Sequence, residues 1–215
     1  MENFNLDIFS PAVPVRLSTK NIIKEQLLNF KPFTAWAETL KASLALQRTE
    51  GHSLHDSPYT LRSVDVQSVD WFGPTNLGFL KLNAEVMNDK GHYLPGVAFL
   101  RGGSVAMLMI LRPSDSNSER WVVMTEQPRI PAGSLKFWEI PAGMIDDKTE
   151  NFVGKAAEEI EEETGLVVPQ RELIDLTKLA LEETDVEEGL QPAMYPSPGG
   201  CDEYIAIFLW EKVLD

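Results

Sequence analysis

The chain is short of several features that would narrow its chemistry at once. It carries one cysteine, Cys201, in 215 residues. No intrachain disulfide can form, and a reducing compartment is the simple expectation. Its histidines, His52, His55 and His92, have no metal-ligand spacing and read as ordinary loop residues. No apolar run approaches the roughly 20 residues of a membrane span. The opening stretch "MENFNLDIFSPAVPVRLSTKN" holds Glu2 and Asp7 and lacks an apolar signal core, which argues against a secretory or transit peptide. The expected location is therefore cytoplasmic. Positive charge is scarce: 19 Lys and Arg stand against 33 Asp and Glu, for a net charge of -14. A broad basic surface for nucleic acid is excluded. Neither "RGGS" nor "SPGG" carries the longer glycine-lysine pattern of a Walker loop.

What is present suits a folded protein. Hydrophobic residues make up 43% of the chain, charged residues 24%, and there are five tryptophans, a composition that disordered chains do not show. The length allows one large domain, or a domain with an appendage. Between Lys20 and Gln47, Ile23, Leu27, Phe33, Trp36, Leu40 and Leu44 recur at near-helical spacing, with Pro32 in the first turn of a second helix. Arg48 to Thr60 is rich in turn formers. Strand patterns follow. In "LGFLKLNAEVMN", Leu80, Leu82, Ala84 and Val86 share one face. "DKG" (Asp89 to Gly91) marks a turn, and "SVAMLMILR" is a continuous apolar run, as in a strand buried on both faces. After a central helix come "LIDLTKLAL", an acidic loop "EETDVEEG", the turn "SPGG" and a last strand "EYIAIFLWEKV". The order is helices, strands, one central helix, then more strands, a mixed α/β layout. A soft boundary falls at "LRGGS", Leu100 to Ser104.

The central helix is unusual. Five of the six residues from Glu158 to Glu163 are glutamates. Asp147 or Thr149 can cap the helix, Asp147 with Glu150 forms a candidate capping box, and Gly165 supplies the stop. Phe152, Ala156, Ile160 and Thr164, with Val153 and Ala157, define an inward face. Glu159, Glu162 and Glu163 lie at i, i+3 and i+4 on a patch away from it. Glu158–Glu162 and Glu159–Glu163 are like-charge pairs costing about 0.2–0.5 kcal/mol each. They also crowd the helix end that prefers cations, where only Lys155 offers relief from within the helix. A divalent metal would compensate, because clustered carboxylates are hard oxygen ligands suited to Mg²⁺ or Mn²⁺. A solvated acidic face is the simpler alternative.

From Gly143 to Leu166, "GMIDDKTENFVGKAAEEIEEETGL" resembles the Nudix box. Gly143, Glu150, Glu159, Ile160, Glu162, Glu163, Gly165 and Leu166 match it. Six residues rather than five separate Gly143 from Glu150, and Glu158 stands at the box arginine. "TEQPRIPAG" and "WEIPAG" before the box, and "SPGGCDE" after it, are similar to the ADP-ribose and ADP-sugar diphosphatase branch, as is the strand-rich segment upstream. The likeness covers about Val64 to Trp210.

This resemblance implies a Nudix α/β/α sandwich with a mixed sheet. With the helical periodicity of the first segment, the expected division is an N-terminal helical extension (1–60), which the likeness does not cover, a strand-rich subdomain that the resemblance implies dimerises (61–103) and the Nudix hydrolase domain (104–215). The implied activity is metal-dependent hydrolysis of a nucleoside diphosphate sugar of the ADP-ribose or ADP-glucose type, by a homodimer. The alternative is a degenerate Nudix domain that binds nucleotides or a protein partner without turnover. Glu159, Glu162 and Glu163 are the expected catalytic residues. Glu159, Glu163 and the Ala142 carbonyl are the expected ligands of Mg²⁺ or Mn²⁺. Arg129, Arg101, Glu139, Ser197, Gly199 and Gly200 are the expected substrate-binding residues. Trp71 and Phe72 are candidates to stack on adenine, or are core or interface aromatics. Where relatives carry a further strand, a loop bearing a carboxylate and a helix, this chain stops at Asp215. It is expected to be either naturally short or partial. Glu182, Glu183 and Glu187 are stand-ins for the general base, and weakened activity is expected from Glu158.

Overall fold

The computed structural model describes residues 2–116, 118–145, 153–154, 156–157, 161–162, 165–182, 184 and 188–214. It separates into two compact units. The first holds residues 1–102 with 185–191 and 197–203; the second holds 103–184 with 192–196 and 204–215.

The first unit is built on a six-stranded sheet. Strands β1 (Asn3–Leu6), β2 (Val13–Leu17), β3 (Tyr59–Phe72), β4 (Asn76–Asn88) and β5 (Tyr93–Leu94) are neighbours in that order, and β6 (Val97–Leu100) also pairs with β4. Only β2 and β3 run parallel. On β4, Leu80, Leu82, Ala84 and Val86 are all buried, as the alternation requires. Helices α1 (Lys24–Asn29) and α2 (Lys31–Leu46) meet at Pro32 in the first turn of α2, where a missing N–H costs nothing. Leu27 and Phe33 from these helices join Val15, Leu17, Val64, Leu80 and Leu82 in one core.

Residues 1–60 were expected as a helical extension. They also supply β1 and β2, and both lie in the sheet of β3 and β4. In β2, Val13, Val15 and Leu17 are buried, whereas Pro14 and Arg16 are exposed. Pro14, which weakens a strand reading, faces Asn5 of β1, and the parallel pairing to β3 begins only at Val15.

The second unit carries a mixed α/β core. Strands β11 (Ala142–Met144), β7 (Ser104–Pro113), β13 (Ile205–Leu214) and β12 (Ile174–Asp175) are neighbours in that order, and β8 (Trp121–Val122) also pairs with β7. β7 and β13 run parallel over their whole length; the other pairs are antiparallel. Val105, Met107 and Met109 of β7 and Ala206, Phe208 and Trp210 of β13 form the core, together with Ala156 and Val168. Completely burying Phe208 alone is worth roughly 1.5–3 kcal/mol. β9 (Thr125–Arg129) and β10 (Ser134–Glu139) form a separate hairpin around a 3₁₀ turn at Ile130–Ala132. Within "LIDLTKLAL" only Ile174 and Asp175 are strand; Leu176–Leu181 is a short helix. Asp175 caps it by accepting from the Lys178 backbone N–H at 2.8 Å. A simple run of further strands after the central helix is thus corrected.

Candidate active site

The glutamate helix is positioned by its apolar side. Val153, Gly154, Ala156, Ala157, Glu161 and Glu162 are helical. Ala156 is fully buried against the β7 and β13 core, while Glu161 and Glu162 are exposed. Gly165 then adopts φ +71°, and its N–H closes on the Glu161 carbonyl at 2.9 Å. That left-handed conformation is the helix stop that glycine makes inexpensive. The expected capping box, Lys155, Glu158, Glu159 and Glu163 lie outside the described residues, as do Glu183 and Glu187. Among the described residues no group of three or more His, Cys, Asp or Glu could hold a metal ion. Ala142 lies on β11, opposite Ala106 of β7. A main-chain carbonyl together with glutamate carboxylates would be an all-oxygen donor set, the kind that hard divalent cations take.

Arg129 ends β9, and Glu139 ends β10. In the hairpin register Arg129 is matched with Ser134 and Glu139 with Thr125, and the two side chains reach along the hairpin to meet across ten residues of sequence. The Arg129 Nε–H donates to Glu139 Oε1 at 2.7 Å, and an Nη of the same arginine also contacts that oxygen. Around this pair the hairpin exposes Ile130, Leu135 and Trp138.

Arg101, Ser197, Gly199 and Gly200 belong to the first unit, whereas Arg129, Glu139, Ala142 and Glu162 belong to the second. The structure ties Arg101 to the segment that follows the "SPGG" turn. Phe99 N–H donates to the Gly200 carbonyl at 2.9 Å, and Asp202 N–H returns to the Phe99 carbonyl at 3.3 Å. The Asp202 carboxylate accepts from Arg101 N–H at 2.7 Å and from Gly102 N–H at 3.2 Å. Glu203 pairs with the Arg101 Nη at 2.9 Å, while the buried Arg101 Nε has no hydrogen-bond partner among the described residues. Burial pushes the Asp202 carboxyl above its ordinary range, against the pull of those peptide donors. Burial also raises the Cys201 thiol, keeping it in its protonated form rather than as a reactive thiolate. Gly200 and Cys201 N–H groups close the turn on the Ser197 carbonyl at 3.1 and 3.0 Å. Among the described residues nothing stands within 4 Å of where a Cβ would project from Gly199 or Gly200.

Asp202 and Glu203 were not singled out from sequence. Their signal in the sequence was membership of the stretch "SPGGCDE"; their partner lies about a hundred residues earlier, out of reach of local pattern. Trp71 is turned to the protein's own backbone, its indole N–H donating to the Asn21 carbonyl at 3.1 Å. Phe72 is partly exposed and packs edge-on against Phe79.

These features sit in a chain that is a relative of the Nudix hydrolases. It is 38% identical over 179 residues to Nudix hydrolase 14, chloroplastic, of Arabidopsis thaliana, an alignment covering 83% of this chain. The chain spans about half (52%) of that relative's length. A solved structure described as an ADP compounds hydrolase is similar at 14% identity and a TM-score of 0.43, covering 71% of this chain and 69% of that one. No family model matches the chain. Among the described residues, no helix is long and apolar enough to cross a membrane.

Proposed function

We propose that the protein hydrolyses the diphosphate bond of a nucleoside diphosphate sugar of the ADP-ribose or ADP-glucose type. Water adds to one phosphorus as the bridging P–O bond breaks, giving a nucleoside monophosphate and a sugar phosphate. The observation that carries this reading is the glutamate helix, held by buried Ala156, ended by left-handed Gly165 and exposing Glu162, in a chain related to a Nudix hydrolase.

Glu159, Glu163 and the Ala142 carbonyl would hold Mg²⁺ or Mn²⁺. When bound, such an ion neutralises charge on the phosphate oxygens and acidifies the attacking water. Arg129 suits a phosphate oxygen through its planar fork. Gly199 and Gly200, uncrowded among the described residues, would suit approach of a ligand to the backbone of the "SPGG" turn. Assembly as a homodimer belongs to the same proposal, and sedimentation tests it. A cytoplasmic site of action is also part of it, although the relative is named as chloroplastic; imaging of a tagged chain decides that point.

Glu158 at the box arginine favours a second reading, a nucleotide-binding domain without turnover. The test is release of nucleoside monophosphate from ADP-ribose, ADP-glucose and UDP-glucose with Mg²⁺ or Mn²⁺. Metal-dependent release is expected, falling at least about 100-fold in Glu163→Gln, the order of loss seen when an electrostatic group of an active site is removed. A folded chain that releases nothing would sink the enzyme reading and leave the second.

A further inference from the structure

Arg129 is held before any substrate arrives. Its guanidinium has five N–H donors in a rigid plane. The Nε–H and one Nη are committed to a single oxygen of Glu139. That contact occupies the side edge of the plane and leaves the end edge, between the two Nη atoms, directed away from the carboxylate. The Arg129 side chain is 40% exposed and that of Glu139 only 21%, so the carboxylate is the more sheltered partner. The Glu139 backbone is fastened as well, since its carbonyl accepts from the Thr125 hydroxyl at 3.3 Å.

We infer that Glu139 is a positioning residue: it does not bind substrate itself but fixes the rotamer of Arg129 so that the end edge of the guanidinium receives a diphosphate oxygen. This rests on the reading of Arg129 as a phosphate-binding residue. Its role therefore differs from the direct substrate contact expected from sequence. The sign of one effect separates the roles. A carboxylate beside an arginine repels an incoming anion, so simple removal of its charge should tighten anion binding. If Glu139 orients Arg129, removal loosens binding instead, because a long flexible side chain must then be ordered by the ligand itself.

The experiment measures ADP-ribose affinity for the full chain in EDTA, where metal-dependent turnover is silent. Glu139→Ala is expected to weaken binding about fivefold and the isosteric Glu139→Gln about threefold, the modest range of a lost charge-assisted hydrogen bond. Arg129→Ala should weaken it about tenfold, and the double variant should be no weaker than Arg129→Ala, because the residues act as one unit. Tighter or unchanged binding in Glu139→Ala, or an additive loss in the double variant, overturns the proposal. A second readout needs no ligand. The Arg129 Nε–H nuclear magnetic resonance signal should exchange slowly with solvent in the native chain and quickly in Glu139→Gln. No change in that exchange also overturns it. If the native chain fails to bind ADP-ribose, the substrate reading falls, while the exchange measurement still decides whether Glu139 orients Arg129.

Discussion

Arg101 and Arg129 are both paired with a glutamate, yet they are supported to different depths. Arg129 stands at the end of a two-stranded hairpin, and among the described residues its guanidinium is paired with one side chain, Glu139. Arg101 is gripped twice. Glu203 takes its guanidinium, and Asp202 takes its peptide N–H and that of Gly102. The glycine near each arginine repeats the contrast. Gly102 has φ +79°, and an added Cβ would meet Pro32 Cγ at 2.9 Å. Gly133, closing the turn after Arg129, has φ +70° and, among the described residues, nothing within 4 Å of an added Cβ. The same kind of ion pair is therefore more deeply embedded in one place than in the other. A residue's partner says less about its rigidity than what holds the partner's backbone.

Substitution can break this contrast. The largest effect is expected from Gly102→Ala, which adds a close contact to a left-handed backbone and should cost about 2–4 kcal/mol in denaturant unfolding. Gly133→Ala meets only the conformational penalty and should cost about 1–2 kcal/mol. Equal losses would show that the two turns are equally constrained. Asp202→Ala leaves two peptide donors without their acceptor and should cost about 1–3 kcal/mol, whereas Glu139→Ala should change stability by less than about 1 kcal/mol.

The smallest effect is a pH dependence. Asp202 has a folded pKa above its unfolded value, so the fold favours its protonated form. Its contribution is most favourable below the ordinary aspartate range. Stability from this group then falls as pH rises through that range toward its raised folded value. Asp65 behaves oppositely. The hydrogen bond from Arg16 lowers its pKa, so its stabilisation is present above the ordinary aspartate range and disappears as pH falls through the folded value. Thermal melts across acidic pH should therefore flatten in opposite directions for Asp202→Asn and Asp65→Asn. A shared direction would contradict these assignments.

Local signals were the ones a single sequence could carry. The period of Ala156 placed it inward, Gly165 ended its helix, Pro32 opened α2, and alternation marked β4. β2 escaped because Pro14 interrupts a run whose buried residues are only Val13, Val15 and Leu17. The Asp202–Arg101 contact escaped for another reason. No local propensity connects residues about a hundred positions apart, and turn chemistry at "SPGG" does not specify which strand its neighbours will grip. The Arg129–Glu139 pair joins positions that do not face each other across the hairpin, where Arg129 is matched with Ser134 and Glu139 with Thr125, so strand patterning alone does not reveal it.

The parallel seam of β7 and β13 has a consequence in time. Ser104 is matched with Ile205, and the register continues to Pro113 with Leu214. At about 5–20 residues per second of synthesis, Met107 and Met109 wait roughly 5–20 s before Phe208 and Trp210 exist to cover that edge. During this interval an apolar strand is available to wrong partners. For the second unit, successful folding on the ribosome is a matter of keeping the β13 edge of β7 free until that strand emerges, even as β8 and β11 pair elsewhere along β7.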